Sequence, residues 1–488
     1  MIRAQANTSY ESVGPSRARR QPVCAPARKQ VADRCTDHVD PKQQATLDTA
    51  ANLQSGVSTK LKSGHSFSYV ALFAFTLVLY ARPSEFYPSP VTASIALVIG
   101  IVTLVFFVPT QLALAGNLSA PLPEVKVVLL FALLAAINIP LAMSPADASQ
   151  VFSTTFIRCV VIFIVMVNVV RTQARLKGLL FLGVAAAIWL SFAAINDYRS
   201  GLLTVEGYRV AGRGTGIFGN TNDMALHLVT MFPIVAAFFF GSRNKIIKVA
   251  CGLCAALLIA AIVVSYSRGA FLGLIVILVF LSLKLGNQNR FGIAVGLVML
   301  AGAFLLFAPG NYGTRLLSIF IPSLDPLQSA DARRAELFRS LYVAVRHPFF
   351  GIGMGNYAGQ MSLRGLVTHN SYTQVASEMG LLALVCYVVF IISPLRKLAQ
   401  IVRETHSGRH SSEFFYLAVG LEASLIGYMV SSFFLSVPYV WYVYYLVAYA
   451  VCFRRIYESQ TGRLVVVQKR KERKRNLQTE SLVQTAEA

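Results

Sequence analysis

The sequence predicts an all-α fold: a polytopic integral membrane protein of about twelve transmembrane helices with one large loop on its outer side. Hydrophobic side chains make up 55% of the 488 residues and charged ones 14%, where a soluble domain carries roughly a quarter of its residues as Asp, Glu, Lys and Arg. Apolar runs close to the ~20 residues needed to cross ~30 Å of hydrocarbon recur along the chain. Basic residues also gather in alternate connections between those runs, the pattern of loops held on the inner side of a bilayer.

Residues 1–65 are polar, basic and rich in Ala, Gln, Ser and Arg. They contain no apolar h-region, so they are neither a cleavable signal nor a span. A disordered basic cytoplasmic tail is expected there, with an over-extended start as the equal alternative. Residues 66–308 carry the first nine spans, beginning near Tyr69, Val91, Val127, Val151, Leu179, Met224, Ile246, Ala270 and Phe291. Residues 309–371 are expected to form the large outer loop, and 372–455 the last three spans, from Tyr372, Phe414 and Tyr439. The tail 456–488 contains "VVVQKRKERKRNLQTE", a solvated topology signal that also touches anionic headgroups. Nucleic acid is not an expected partner, because the net charge of +22 resides largely in the tails and inner loops. Cys251 and Cys254 make a CxxC, but within an apolar span and without partner ligands, so neither redox nor zinc chemistry is expected of them.

An even number of spans puts both termini on one side. The loops "RTQARLKG", "GSRNKIIK", "KLGNQNR" and "SPLRKLAQIVRETHSGRH" place that side inside. Sorted by side, every lysine of the folded part (Lys126, Lys177, Lys245, Lys248, Lys284, Lys397) falls at an inner loop. The outer side has arginine alone: Arg82, Arg199, Arg209, Arg213, Arg268, Arg315, Arg333, Arg334, Arg339, Arg346 and Arg364. Guanidinium is a permanently charged planar fork that meets phosphate oxygens two at a time, and ammonium is a mobile point charge. A surface basic through arginine alone therefore fits a phosphate or pyrophosphate ligand. Structural ion pairing is the preferred reading for Arg199, Arg315, Arg339 and Arg346. Arg268, in the short connection "SYSRGAFLG" with no acid nearby in sequence, reads as an anion site flanked by Ser265, Ser267 and Gly269.

In the large loop, Ala335, Phe338, Leu341, Tyr342 and Val345 recur at helical spacing, which predicts an amphipathic helix lying on the membrane. The glycines of "FFGIGMGNYAG" lack a dinucleotide spacing and read as a tight turn that brings the chain close to other backbone. Ser371 followed by Gln374 reads as a capping box, so the tenth span should begin near Tyr372 with His369 and Asn370 just before it. A helix N-terminus and nearby arginines both oppose protonation of imidazole, whose ordinary pKa is ~6.5. His369 is then uncharged and able to take a proton, as a general base must. His227, His347, His406 and His410 read as hydrogen-bonding residues. Glu378 reads as an intramembrane acid and a functional candidate, with pairing to Arg158 an equal alternative. The outer side has no metal-ligand spacing and no HExxH, DxD or GxSxG, so no metal or cofactor is expected.

Four segments in order, "YRVAGRGTGIFGNTNDMAL", "SYSRGAFLGL", "RRAELFRSLYVAVRHPFFGIGMGNY" and "HNSYTQVASEMGLLAL", resemble the bacterial O-antigen ligase and Wzy-type polymerase superfamily of polytopic glycosyltransferases. The resemblance covers residues 208–384, and "LYARPSEFYPS" is also similar to members of the group. It implies a GT-C-like enzyme of the bacterial inner membrane with cytoplasmic termini. Its donor would be a glycan on polyprenyl pyrophosphate, and its acceptor a hydroxyl of lipid A core, growing polysaccharide or protein at the periplasmic face. By that analogy arginines at Arg209 or Arg213, Arg268 and Arg334 hold the pyrophosphate, and His369 activates the acceptor. Phe338 stands where relatives often have Trp, and the adjacent Arg333 leaves open which of the pair is the equivalent one. Direct displacement would invert the anomeric centre. Asn220, Asn222 and Asn370 would orient sugar hydroxyls, with capping and turn roles as equal alternatives. A polysaccharide or lipid transporter and an envelope scaffold are the competing classes. The first is disfavoured because the polar residues gather on one surface rather than at the midplane of paired repeats.

Overall fold

The structure is a computed structural model that describes residues 64–205, 209–212, 217–285, 329–408 and 413–462. The run near Phe291, Arg213, Arg315, His410 and residues 1–63 and 463–488 of the two tails lie outside the described residues. In chain order the α-helices are α1 (Ser66–Ala81), α2 (Pro83–Phe86), α3 (Pro90–Ala115), α4 (Pro123–Asn138), α5 (Pro145–Val151), α6 (Ile157–Val169), α7 (Gln173–Arg199), α8 (Thr221–Gly241), α9 (Lys245–Val264) and α10 (Arg268–Leu285). They continue with α11 (Ser329–Arg346), α12 (Tyr357–Gln360), α13 (Ser371–Met379), α14 (Leu381–Thr405), α15 (Glu413–Ser431) and α16 (Trp441–Gln460). A π turn, Phe152–Phe156, joins α5 to α6 within one span. Among the described residues there is no strand, and an isolated bridge pairs Val205 with Arg209.

Local chemistry sets many of these starts. Proline occupies the first position of α2, α3, α4 and α5, where its missing N–H is not needed. Ser89 and Thr92 close a capping box on α3, while Thr172, Asn220 and Asn244 cap α7, α8 and α9 with side-chain oxygens.

Ten helices among the described residues are long and apolar enough to cross a membrane. Eight correspond to the first eight predicted spans. The tenth predicted span differs from expectation. It starts at Leu381, because the chain breaks at Gly380 and leaves Ser371–Met379 as a separate short helix. Gly380 has φ +84°, and a Cβ there would lie 2.2 Å from the Phe349 carbonyl oxygen. The twelfth, α16, is a buried helix whose Arg454, Arg455 and Glu458 keep it outside the apolar set.

The helices at the centre of the bundle are α8, α15 and α16, which carry buried residues around most of their circumference. By contrast α3 and α9 are largely exposed and apolar, as helices facing lipid are. At the end opposite the candidate site, Arg454 grips the fully buried Glu124 with two bonds of 2.7 and 2.9 Å, and the Ser393 hydroxyl donates to the same carboxylate at 2.8 Å. This ties α4, α14 and α16 together.

The glycine-rich turn of 349–357 acts as a clamp. Ile352 and Gly353 N–H donate to the Ser377 and Glu378 carbonyls at 3.0 and 2.8 Å, and Leu381 N–H donates to Pro348 at 2.7 Å. On its other side Asn138 Nδ2 donates to the Phe350 carbonyl, and the Asn356 carboxamide oxygen accepts Ser144 N–H at 2.7 Å. A Cβ at Gly351 would lie 2.3 Å from the Glu378 carbonyl carbon, so only glycine allows this approach. The clamp holds α13 in place.

Candidate active site

Arg209 follows the 199–205 connection and is buried. Its Nε donates to the Ser265 carbonyl at 3.1 Å and its Nη2 to Asn222 Oδ1 at 2.9 Å. Asn220 caps α8, its oxygen accepting Asn222 N–H at 2.8 Å, and Thr221 Oγ1 donates to the Val210 carbonyl at 2.8 Å. The oxygens of both asparagines are thus taken by protein groups. The segment around Arg209 is folded onto the connection that carries Arg268.

That connection, 265–267, is tightly built. Ser265 Oγ accepts Ser267 N–H at 3.3 Å, and Tyr266 takes a left-handed backbone, φ 53°. Burial and the neighbouring Tyr198 push the Tyr266 phenol up to about 12. Arg268 is the first residue of α10 and is 8% exposed. Gly269 behind it abuts the turn Ser432–Phe434: a Cβ would lie 2.8 Å from Phe434 Cβ, and Ser431 Oγ donates to the Gly269 carbonyl at 3.2 Å.

The start of α13 is seated on the same segment. Ser371 Oγ donates to the Leu435 carbonyl at 2.6 Å and accepts Val437 N–H at 3.0 Å. Thr368 and Ser436 hydroxyls pair at 3.0 Å, and the Tyr372 hydroxyl donates to Met429 at 3.0 Å. Arg268 and His369 therefore stand at two helix N-termini that share one seat, residues 429–437.

The cap of α13 corrects the predicted capping box. Asn370 is the cap, its Oδ1 accepting Tyr372 and Thr373 N–H at 2.9 and 3.0 Å. Ser371 is instead bonded to the 435–437 backbone, and Gln374 Nε2 donates to Glu378 Oε2 at 3.3 Å. With its oxygen fixed by the cap, the buried Asn370 amide presents Nδ2, which finds no acceptor among the described residues.

His369 is half-buried with φ 52°, a backbone that few non-glycine residues adopt. Burial, followed by the charge of Arg333, lowers its imidazole to about 4. Of the adjacent arginines on α11, Arg333 is the one that bears on His369. Arg334 is exposed and lies over the Phe338 ring, 5.9 Å from its centroid. The pattern of α11 could have pointed to Arg333, since it lies on the face of the buried Glu336, Ser340, Val343 and Ala344.

Glu378 is buried in α13, ahead of the span rather than inside it. Its Oε1 accepts Tyr357 N–H at 3.3 Å, and burial pushes its carboxyl up to about 7. Arg158 is exposed and does not pair with it. Arg339 pairs with Glu336 at 3.1 Å, whereas Arg346 lies over the Tyr342 ring at 5.2 Å. His227 bonds to the Gly183 carbonyl at 3.0 Å inside the bundle. Among the described residues no three His, Cys, Asp or Glu side chains come together as a metal site.

No curated protein matches the chain. Residues 253–388 match the family described as O-antigen ligase, and the matched stretch contains Arg268, Arg333, His369 and Glu378. That match covers 136 of the 488 residues, and over it the chain, all-α with many apolar helices, is similar to the O-antigen ligase family.

Proposed function

We propose that the protein transfers a glycan from polyprenyl pyrophosphate to an acceptor hydroxyl at the periplasmic face of a bacterial inner membrane, with His369 as general base. The acceptor oxygen attacks the anomeric carbon and gives up its proton to the His369 imidazole. The bond from that carbon to the pyrophosphate oxygen breaks, and its electron pair leaves with polyprenyl pyrophosphate. Attack opposite the leaving group inverts the centre.

The observation that carries this reading is His369 itself: an uncharged imidazole at a helix mouth, in a costly backbone conformation, facing Arg333. We assign the developing negative charge of the leaving group to Arg268 and Arg333. Arg209 braces the connection that carries Arg268 and adds positive potential. Asn370 Nδ2 is the donor offered to a sugar oxygen. Arg334, on the exposed side of α11, serves headgroups rather than the reacting phosphates.

The charges also supply an order of events. Diphosphate bound by Arg333 offsets the positive charge that lowers His369, so the imidazole becomes a better base once the donor is in place. The test replaces His369 with alanine and compares lipopolysaccharide, secreted polysaccharide and glycoprotein profiles with those of a gene deletion. We expect the His369→Ala profile to match the deletion at unchanged protein level. Whichever profile changes identifies the acceptor as lipid A core, polysaccharide or protein. Normal transfer by the alanine protein would remove the general base from the scheme.

A further inference from the structure

Arg333 and His369 lie on different elements, and one residue, Tyr357, bonds to the helices that carry or follow both. Tyr357 is 1% exposed. Its hydroxyl donates to Glu336 Oε2 at 2.8 Å, on α11, and lies 3.0 Å from the Glu336 carbonyl. Its backbone N–H donates to Glu378 Oε1, on α13. Glu336 is one helical turn from Arg333, and Glu378 belongs to the nine-residue helix that begins two residues after His369.

We propose that Glu336, Tyr357 and Glu378 form a strut that sets Arg333 against His369, which makes them positioning residues of the transfer site; this rests on the reading of His369 and Arg333 given above. Each carboxylate is almost fully buried, 3% and 2% exposed. A buried acid costs free energy that a well-packed apolar pair would not, so helix contact alone is a poor reason to keep two of them. What directional bonds add is a fixed register. Glu336 also accepts the Ser362 hydroxyl and Arg339 Nη1, both at 3.1 Å, so the α11 end of the strut is tied from three directions. At the other end Gln374 holds the second oxygen of Glu378. Arg333 is the charged side chain acting on His369, and the facing residues Leu435, Ser436 and Val437 carry no charge. A shift of α11 relative to α13 therefore reads out directly in the proton affinity of His369.

The test needs no substrate. Diethyl pyrocarbonate modifies neutral imidazole, and peptide mass spectrometry follows modification of His369 against pH in the full-length protein in lipid vesicles. Wild type should give a midpoint near 4. Tyr357→Phe removes the hydroxyl but keeps the ring and the N–H, and should raise the midpoint by about one unit as Arg333 loses its register. Glu336→Ala should do the same, and Glu336→Gln, which keeps an oxygen for the Tyr357 hydroxyl, should restore most of the wild-type value. Glu124→Gln, at the far end of the bundle, should leave the midpoint unchanged while lowering stability. If Tyr357→Phe does not fold, Ser362→Ala at its half-buried site tests the same end of the strut, with a rise expected. A wild-type midpoint in Tyr357→Phe or Ser362→Ala, beside a raised one in Arg333→Gln, overturns the strut and spares the Arg333–His369 pair. No rise in Arg333→Gln overturns both.

Discussion

A left-handed backbone at a non-glycine residue costs of order 1–3 kcal/mol and persists only where its surroundings hold it. His369 pays that cost beside a buried cap, and Tyr266 does so beside Arg268. The lowered imidazole has a definite consequence for pH. A base works when unprotonated, so transfer should persist as pH falls through 6.5 and fail only near the folded value of about 4. The acid limb of kcat/KM, which reports the free enzyme, should lie near 4. That of kcat should lie higher, because bound diphosphate offsets Arg333. Coincident limbs near 6.5 would contradict the coupling. Asn370 separates cap from donor. Asn370→Asp keeps an oxygen for the Tyr372 and Thr373 amides but loses Nδ2, so melting should be nearly unchanged while transfer falls about tenfold. Asn370→Ala also loses the cap, at about 1 kcal/mol. Equal transfer by wild type and Asn370→Asp would leave Asn370 as a cap alone. The sequence proposed His369, Asn370 and Arg268 through residue type and place, but could not say which of Arg333 and Arg334 lies beside His369, since that depends on the rotation of α11.

At the scale of elements, α11 explains that difficulty. Its regularly spaced Phe338, Leu341, Tyr342 and Val345 are exposed, while Glu336 and Ser340 are buried. An apolar stripe normally marks the core face because water is the alternative. Beside a bilayer the alternative is itself apolar, and the same stripe marks the outer face. Arg334 and Arg346, stacked over Phe338 and Tyr342, suit a surface at headgroup depth. An environment-sensitive fluorophore on Val345→Cys, at a site 78% exposed, should shift to the blue when the protein passes from detergent-free polymer into phospholipid vesicles. An unchanged emission would take α11 off the membrane. The break at Gly380 was hidden because the local Ser371–Gln374 motif marks a helix start that runs on into the apolar stretch, and only contact with Phe349 demands glycine between the two helices. Gly380→Ala should lower stability by more than about 1 kcal/mol, read from thermal inactivation. The misread cap also turned on tertiary contact, since Ser371 matched a local motif but the 435–437 backbone claims its hydroxyl.

Across the whole molecule, hydropathy carried most of the architecture. The early spans fall where their apolar runs lie because a bilayer demands length and internally satisfied backbone. The last helix is harder to read, since Arg454 is compensated by a partner 330 residues away. Glu124→Ala strands that arginine in the interior and should cost about 3–5 kcal/mol, seen as loss of folded protein from the membrane. Wild-type abundance of that variant would show the two ends of the bundle to be held independently of this pair. The segment 429–437 bonds to both helix N-termini, through Ser431 at the one that carries Arg268 and through Met429, Leu435 and Val437 at the one that follows His369, so this long-range closure brings distant parts of the chain together. The central claim is proton removal by His369 during transfer from polyprenyl pyrophosphate. It is tested most directly by chemical rescue: purified His369→Ala protein in vesicles, a polyprenyl-pyrophosphate glycan, the identified acceptor, and added imidazole. Negligible transfer is expected without imidazole, and partial recovery in proportion to its neutral form. Transfer at the wild-type rate with no imidazole present would contradict the claim.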